Sequence, residues 1–161
     1  MKSGVDLGNA EVSGNAKVSG NAKVFENAKV YGNAMVYGDT LVMEDAKVFG
    51  NAWVFDDAYV FGNAWVSGNA RVYGNAWVYG NAKISGKAKI YLNAKVYGEA
   101  LVIGDAWVFG NAKVFDDAKV YGNAMVYGNA KLFDDAKVYG NAKLSGDAKV
   151  SGNEKLIKSR I

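Results

Sequence analysis

The chain has 161 residues and a formal net charge of +3, and it contains no His, no Cys and no Pro. Disulfides, thiolate metal sites and His-based catalysis are therefore excluded. The small net charge gives no reason to expect a nucleic-acid or membrane partner. Neither a signal-peptide pattern nor an apolar run of membrane-spanning length is visible. We expect a single soluble domain, cytoplasmic by default.

The first predicted element is an N-terminal cap over residues 1–7. Asp6 falls where the repeat described next would place an inward aliphatic side chain. A charge at an inward position opposes further strand pairing at the open end of a sheet. We therefore predict that Asp6 caps the start of the array.

A six-residue repeat fills residues 8–155. From Val12 to Leu156 every sixth residue is Val, Ile or Leu, and Ala stands two residues earlier except at Thr40 and Glu154. A typical unit reads Gly-Asn-Ala-Trp-Val-Phe, at residues 50–55. A fixed short period over nearly the whole chain predicts a solenoid.

Each repeat predicts one short strand and one corner. The alternation Ala-x-Val-x is typical of a strand with Ala and Val turned inward. Gly-Asn predicts a corner, because both residues tolerate left-handed backbone. A period of six does not keep one face of a helix. Since all the strands are alike, we expect them to turn the same way and to form parallel coils about 4.8 Å apart.

The corners that lack Gly indicate three repeats per coil. With that arrangement four of them share one corner column, two share a second, and the third column keeps Gly from Gly14 to Gly140. The first set is Glu26, Glu44, Asp116 and Asp134, and the second is Asp56 and Leu92. We predict a triangular, all-β, single-domain solenoid with about 18 residues per coil, about eight coils and a length of about 40 Å.

On these residues the repeat resembles the hexapeptide-repeat family. Val54 and Ala58 match its aliphatic first and small fifth positions, as do their equivalents along the array. The chain departs from the family in placing Gly at the third position rather than the second. The resemblance covers about residues 8 to 157 and implies a left-handed parallel β-helix. The left hand comes from the resemblance alone, because crossover connections are generally right-handed.

The resemblance also implies an alternative function, because hexapeptide-repeat proteins are best known as acyltransferases. Those enzymes typically use a His as general base and build the active site on a loop that interrupts the coil. This chain has no His, and no insertion interrupts its array. We therefore expect a protein that is not an enzyme and binds no cofactor or metal, with an acyltransferase relative as the alternative.

One predicted face carries an apolar centre with polar ends. The column before the inward aliphatic residue and the column after it both read almost the same in either direction. A long exposed apolar patch usually marks a partner surface, and this order suits a two-fold, antiparallel self-contact. The residues predicted to self-associate are Met35, Tyr37, Trp53, Phe55, Tyr73, Tyr91, Trp107, Phe109, Met125 and Tyr127.

Other interpretations of the outward residues stay open. Aromatic ladders can simply stabilise a parallel sheet. Lys beside aromatic rings is also found on single-stranded nucleic-acid platforms, although a solvated charged face is favoured here. A carbohydrate or another polymer could bind along the rings. The corner residues Asp116, Asp117, Asp134 and Asp135 either attract calcium or serve as turn formers.

The last predicted element is a C-terminal cap segment over residues 156–161. Glu154 replaces an inward Ala and is predicted to oppose further pairing, and Leu156, Ile157 and Ile161 are predicted to cover the last coil. If the caps are weak, end-to-end filaments follow. We expect a non-catalytic structural scaffold that self-associates side by side through its aromatic face, with a carbohydrate- or polymer-binding module as a further alternative.

Overall fold

A computed structural model of the chain describes residues 9–158, which contain twenty-five two-residue strands and no helix. The strands form three parallel sheets of nine, eight and eight strands, and these sheets are the three faces of the solenoid. This confirms the all-β, three-sided architecture with about eight coils. The predicted cap over residues 1–7, with Asp6, lies outside the described residues.

Each face contains every third strand along the chain. The first face contains β1 (Glu11–Val12), β4 (Lys29–Val30), β7 (Lys47–Val48), β10 (Trp65–Val66), β13 (Lys83–Ile84), β16 (Leu101–Val102), β19 (Lys119–Val120), β22 (Lys137–Val138) and β25 (Lys155–Leu156). The second face contains β2 (Lys17–Val18), β5 (Met35–Val36), β8 (Trp53–Val54), β11 (Arg71–Val72), β14 (Lys89–Ile90), β17 (Trp107–Val108), β20 (Met125–Val126) and β23 (Lys143–Leu144). The third face contains β3 (Lys23–Val24), β6 (Leu41–Val42), β9 (Tyr59–Val60), β12 (Trp77–Val78), β15 (Lys95–Val96), β18 (Lys113–Val114), β21 (Lys131–Leu132) and β24 (Lys149–Val150).

Successive coils are joined in strict register. Lys17 pairs with Met35 and Val18 with Val36, a shift of one coil, and the same shift recurs along all three faces. Outward residues donate their backbone N–H to the next coil, as from Lys17 to the Ala34 carbonyl at 2.9 Å. The corners take part as well, since the Asn15 N–H donates to the Gly32 carbonyl at 2.8 Å. Equivalent residues therefore form straight columns along the axis.

The corners use left-handed backbone, which explains why Gly recurs there. Eighteen Gly residues have φ between 62° and 80°, and the six corners without Gly have φ between 56° and 61°. The ideal left-handed value is about +57°. The residues with a Cβ therefore keep to the favoured centre of that region, while Gly also occupies the part beyond it.

The core is a column of small and branched side chains. From Ala22 to Leu144 every inward aliphatic residue is fully buried, and so is nearly every inward Ala. Thr40, which replaces one Ala, is also buried, and its hydroxyl donates to the Tyr37 carbonyl at 2.8 Å. The substitution is tolerated because the buried hydroxyl has a partner. The interior is thus filled throughout and leaves the outward side chains to carry any function.

At the C-terminal end the last strand, β25, includes Leu156 and pairs with β22. The sheet therefore extends one residue past the predicted boundary at residue 155. Ile157, which we predicted to cover the last coil, is 59% exposed, and Glu154 is also exposed. Ile161 lies outside the described residues. Within residues 9–158 no helix has the length and hydrophobicity needed to cross a membrane.

Candidate functional site

The second face brings all the predicted self-association residues together. Its first outward column, along the strands, reads Lys17, Met35, Trp53, Arg71, Lys89, Trp107, Met125 and Lys143. The column that follows the inward residues contains six aromatic rings between Ser19 and Ser145. The aromatic and Met side chains are half-buried, since neighbours in the column cover part of each one.

The six rings form an unbroken ladder. Their centroids are 4.8 to 5.1 Å apart and neighbouring planes lie within 9° of parallel. Both values follow from the register, because equivalent residues of successive coils are displaced by one strand spacing. The ladder runs through Tyr37, Phe55, Tyr73, Tyr91, Phe109 and Tyr127. The rings cover one another's faces and present their edges to the outside.

The cations on this face repeat the symmetry of the sequence. The Arg71 guanidinium lies 5.1 Å from the Trp53 ring, and the Lys89 ammonium lies 4.3 Å from the Trp107 ring. The two positive side chains therefore turn away from each other and toward opposite ends of the solenoid. Each cation is attracted by the negative face of an indole ring. The centre of the face is left to the Tyr73–Tyr91 pair, whose rings are 5.0 Å apart.

Three tyrosines of the ladder, Tyr37, Tyr73 and Tyr91, ionise less readily than free tyrosine. Burial raises the pKa of Tyr73 and Tyr91 above the ordinary value of 10.0, and the Tyr73 hydroxyl adds to the effect on Tyr91. Burial also raises the pKa of Tyr37, with a smaller contribution from the Asp56 carboxylate. A phenolate is disfavoured wherever neighbouring rings displace water. These three hydroxyl groups are thus neutral at physiological pH.

Leu92 is a feature of this face whose role the sequence did not reveal. It lies at the corner directly after Tyr91, has φ of 59°, and is 51% exposed. An apolar residue with a Cβ in the left-handed region is unusual, and exposure removes the packing that would normally compensate for it. The absence of Gly in the sequence marked the position, but only the structure shows that Leu92 is exposed beside the ladder.

The third face carries a second ring ladder with a different first column. Five rings stack at 4.8 to 5.1 Å, namely Phe61, Tyr79, Tyr97, Phe115 and Phe133. Lys95, Lys113, Lys131 and Lys149 follow one another beside them. Single-stranded nucleic acids bind by stacking bases on open ring faces. Here the ring faces are covered by neighbouring rings, which supports the solvated charged face over a nucleic-acid platform.

The first face has an interrupted ladder. Tyr31 stacks on Phe49 at 4.9 Å, and Tyr121 stacks on Tyr139 at 5.0 Å. Between these two pairs the same column holds Ser67, Ser85 and Ile103. The interruption lies over coils whose first column contains Trp65. This face therefore differs from the other two in the middle of the molecule.

Side-chain amides form ladders along the corners. Asn Nδ2 donates to the Oδ1 of the residue one coil further, as from Asn93 to Asn111 at 3.2 Å and from Asn111 to Asn129 at 3.1 Å. This ladder ends at Asp147, whose carboxylate accepts from Asn129 at 3.0 Å. A carboxylate accepts hydrogen bonds but cannot pass one on. The acidic residue Asp147 thus ends this ladder.

The acidic corners do not assemble a metal site. Among residues 9–158 no three Asp, Glu, His or Cys side chains are grouped so that they could hold a metal ion. Asp134 instead accepts a hydrogen bond from the Gly152 N–H at 3.1 Å. This contact agrees with the interpretation of these residues as turn formers.

Three stretches of the chain, residues 28–44, 64–80 and 118–131, match the family described as YdcK beta solenoid repeat. No curated protein matches the chain. The matched stretches and the three parallel sheets define a β-solenoid repeat protein. The match does not extend to acyltransferases, so that resemblance stays a prediction, as does the left-handed winding.

Proposed function

We propose that the protein is a rigid, non-catalytic scaffold that forms an antiparallel dimer through its second face. The observation that carries this proposal is the two-fold symmetry of that face, in its residue order and in its two cation–π contacts. Trp53 with Arg71 and Trp107 with Lys89 are equivalent pairs at equal distances from the centre of the ladder. A face that reads the same from both ends can contact a second copy of itself in an isologous interface.

The proposed axis lies in the plane of the interface and runs along the strands. This axis reverses the solenoid but keeps the strand direction, so each column faces the same column of the second copy. Trp53 then lies opposite Trp107 of the partner subunit, and Met35 lies opposite Met125 of the partner subunit. Arg71 would meet a like charge, but it and Lys89 are already drawn away from the centre by their Trp neighbours. At the centre of the interface, Tyr73 lies opposite Tyr91 of the partner subunit.

The corner beside the ladder fits the same register. Leu92 would lie opposite Gly74 of the partner subunit, so that a protruding side chain meets a position without one. A strained and exposed apolar residue is understandable if it is covered in the assembly. Leu92 therefore supports the antiparallel arrangement independently of the ring ladder.

The size of the face predicts a reversible dimer. Eight strands at about 4.8 Å give a length of about 38 Å, and four residues at about 3.3 Å give a width of about 13 Å. The face covers about 500 Å² per subunit, or about 1,000 Å² in total, which lies at the lower end for a specific interface. We expect a dissociation constant on the order of micromolar.

Sedimentation equilibrium between about 1 and 200 μM tests the proposal, since this range brackets the expected constant. Wild-type protein should change from monomer to dimer, and the double variant Trp53→Lys with Trp107→Lys should stay a monomer. The matched control is Trp77→Lys on the third face, which also places a Lys beside a Lys, since Lys95 lies 4.1 Å from the Trp77 ring. A wild-type monomer throughout, a double variant that still dimerises, or species that lengthen into filaments would contradict the proposal.

A further inference from the structure

Trp65 on the first face is the most exposed aromatic side chain in residues 9–158, with 39% of its surface accessible. Its surroundings explain this exposure. Trp77 on the third face has three rings beside it: Tyr59 at 5.4 Å in its own column, and Phe61 at 6.1 Å and Tyr79 at 6.4 Å in the next column. Trp65 has Phe49 at 6.0 Å on one side, but Ser67 stands where the second ring would be. One flank of the indole is therefore open.

The other flank of the Trp65 indole, on the side of Asn63, borders a groove that runs along the solenoid axis. The groove has a volume of about 550 Å³ and is bounded by a corner column and by the first column of the first face. It spans five coils, or about 20 Å at the strand spacing. Its lining residues are Asn27, Lys29, Asp45, Lys47, Asn63, Trp65, Asn81, Lys83 and Glu99.

The polar groups of the groove are mixed in sign and evenly distributed. Asn27 donates to the Asp45 carboxylate at 3.2 Å, and Asn81 donates to the Glu99 carboxylate at 2.7 Å. Each carboxylate keeps further lone pairs, and each amide keeps a second N–H. The ammonium groups of Lys47 and Lys83 lie 5.0 and 5.4 Å from the centre of the Trp65 ring. Donors and acceptors thus alternate along the groove on both sides of one aromatic ring.

We propose that this groove binds a linear, neutral oligosaccharide. A sugar ring offers an apolar C–H face for the indole and hydroxyl groups that both donate and accept hydrogen bonds. The mixed carboxylates, amides and ammonium groups satisfy both functions of a hydroxyl at each coil. The Lys side chains over the indole are long and flexible, so that they can move from the ring to the sugar hydroxyls when a sugar stacks there.

The same contacts argue against other elongated ligands. A polyanion would meet the carboxylates of Asp45 and Glu99 at the groove wall. An extended peptide usually binds by adding a strand to a free sheet edge, but this groove lies on a sheet face whose backbone N–H groups are bonded to the next coil, as Trp65 is to Ala82 at 2.9 Å. The groove is on the first face, so its occupation is independent of the proposed dimer.

Isothermal titration calorimetry of the full chain with cellohexaose, chitohexaose and xylohexaose tests this proposal. At least one of these probes should bind, and Trp65→Ser should weaken that binding by about tenfold or more, the equivalent of one lost contact of moderate strength. Trp77→Ser is the matched control and should bind like the wild type. A second variant, Asn63→Tyr, places a bulky ring in the groove beside Trp65, and should abolish binding while the protein stays folded by thermal melting.

The proposal is overturned if none of the three hexasaccharides binds, or if binding survives both Trp65→Ser and Asn63→Tyr. It is also overturned if Trp77→Ser weakens binding as much as Trp65→Ser. Trp65-dependent binding of an oligouridylate or of an acidic peptide instead of the sugars would assign the groove to another class of ligand. Because the double variant of the second face leaves the groove intact, sugar binding by that variant separates this proposal from the dimer.

Discussion

Adding a single methyl group at each of two corners should separate two contributions to the free energy of unfolding: crowding between successive coils and strain of the left-handed backbone. Gly86 and Gly140 belong to the same corner column and have nearly equal φ, 72° and 68°. A Cβ at Gly86 would lie 2.8 Å from the Gly104 nitrogen and 2.9 Å from its carbonyl oxygen, whereas at Gly140 it would meet nothing within 4 Å. The substitutions Gly86→Ala and Gly140→Ala therefore impose the same conformational strain, but only the first crowds the next coil.

The two contributions can be estimated separately. Left-handed backbone costs a residue with a Cβ about 1–2 kcal/mol, offset by about 0.5–1 kcal/mol because Ala loses less entropy than Gly on folding. Gly140→Ala should thus lower the free energy of unfolding by about 1 kcal/mol. Crowding against backbone adds about 1–3 kcal/mol, so Gly86→Ala should lower it by about 2–4 kcal/mol. The cost is limited because Asp and Glu corners already show that a Cβ is accepted when φ is near 60°.

Urea unfolding followed by Trp fluorescence measures both variants. It should be performed at a concentration where the protein is monomeric, since association adds to apparent stability. The denaturant slope should be the same for both variants, so that the comparison reflects stability alone. Equal losses for Gly86→Ala and Gly140→Ala would refute the argument that backbone contact between successive corners restricts this column to Gly.

Three further predictions concern the outward residues. Leu92→Gly should change monomer stability by less than about 1 kcal/mol, because relief of left-handed strain offsets the loss of the side chain. The same substitution should weaken dimerisation in sedimentation equilibrium, whereas Asp116→Gly at a remote corner should not. Stability should fall as the pH rises above 10, because the raised pKa values of Tyr73 and Tyr91 mean that the unfolded chain loses these protons first. Urea unfolding at pH 8 and pH 11 should show a smaller fall for Tyr73→Phe with Tyr91→Phe. Asn111→Ala removes two exposed amide hydrogen bonds and should lower the midpoint of urea unfolding by the equivalent of about 1 kcal/mol.

Much of the fold follows from the sequence because the inward positions repeat without a break. Val and Ala at fixed spacing specify where each strand lies, which side chains point inward and how long each repeat is. The six corners without Gly separated into two columns, and all six are the residues with left-handed backbone that carry a Cβ. The number of repeats per coil could therefore be predicted from a handful of exceptions. Handedness could not, because neither periodicity nor composition depends on the direction of winding.

The candidate site could be predicted only in part. Strict register allowed the columns of the second face to be written down in advance, and the ring ladder confirms that alignment. The orientation of Arg71 and Lys89 toward opposite Trp rings depends on side-chain rotamers, which the repeat does not constrain. The exposure of Trp65 depends on which side chains flank it in the neighbouring column, namely Phe49 and Ser67. Ser67 looks unremarkable in the sequence and becomes informative only beside Phe49 and Trp65.

The antiparallel dimer is tested most directly by cross-linking single-cysteine proteins, since the chain has no Cys of its own. In the proposed arrangement Met35 of one subunit faces Met125 of the other, while the two copies of Met35 are five coils, or about 24 Å, apart. A mixture of Met35→Cys and Met125→Cys proteins treated with a short bis-maleimide should yield a cross-linked dimer, and neither protein alone should do so. A cross-link formed by Met35→Cys alone, or none in the mixture, would contradict the arrangement.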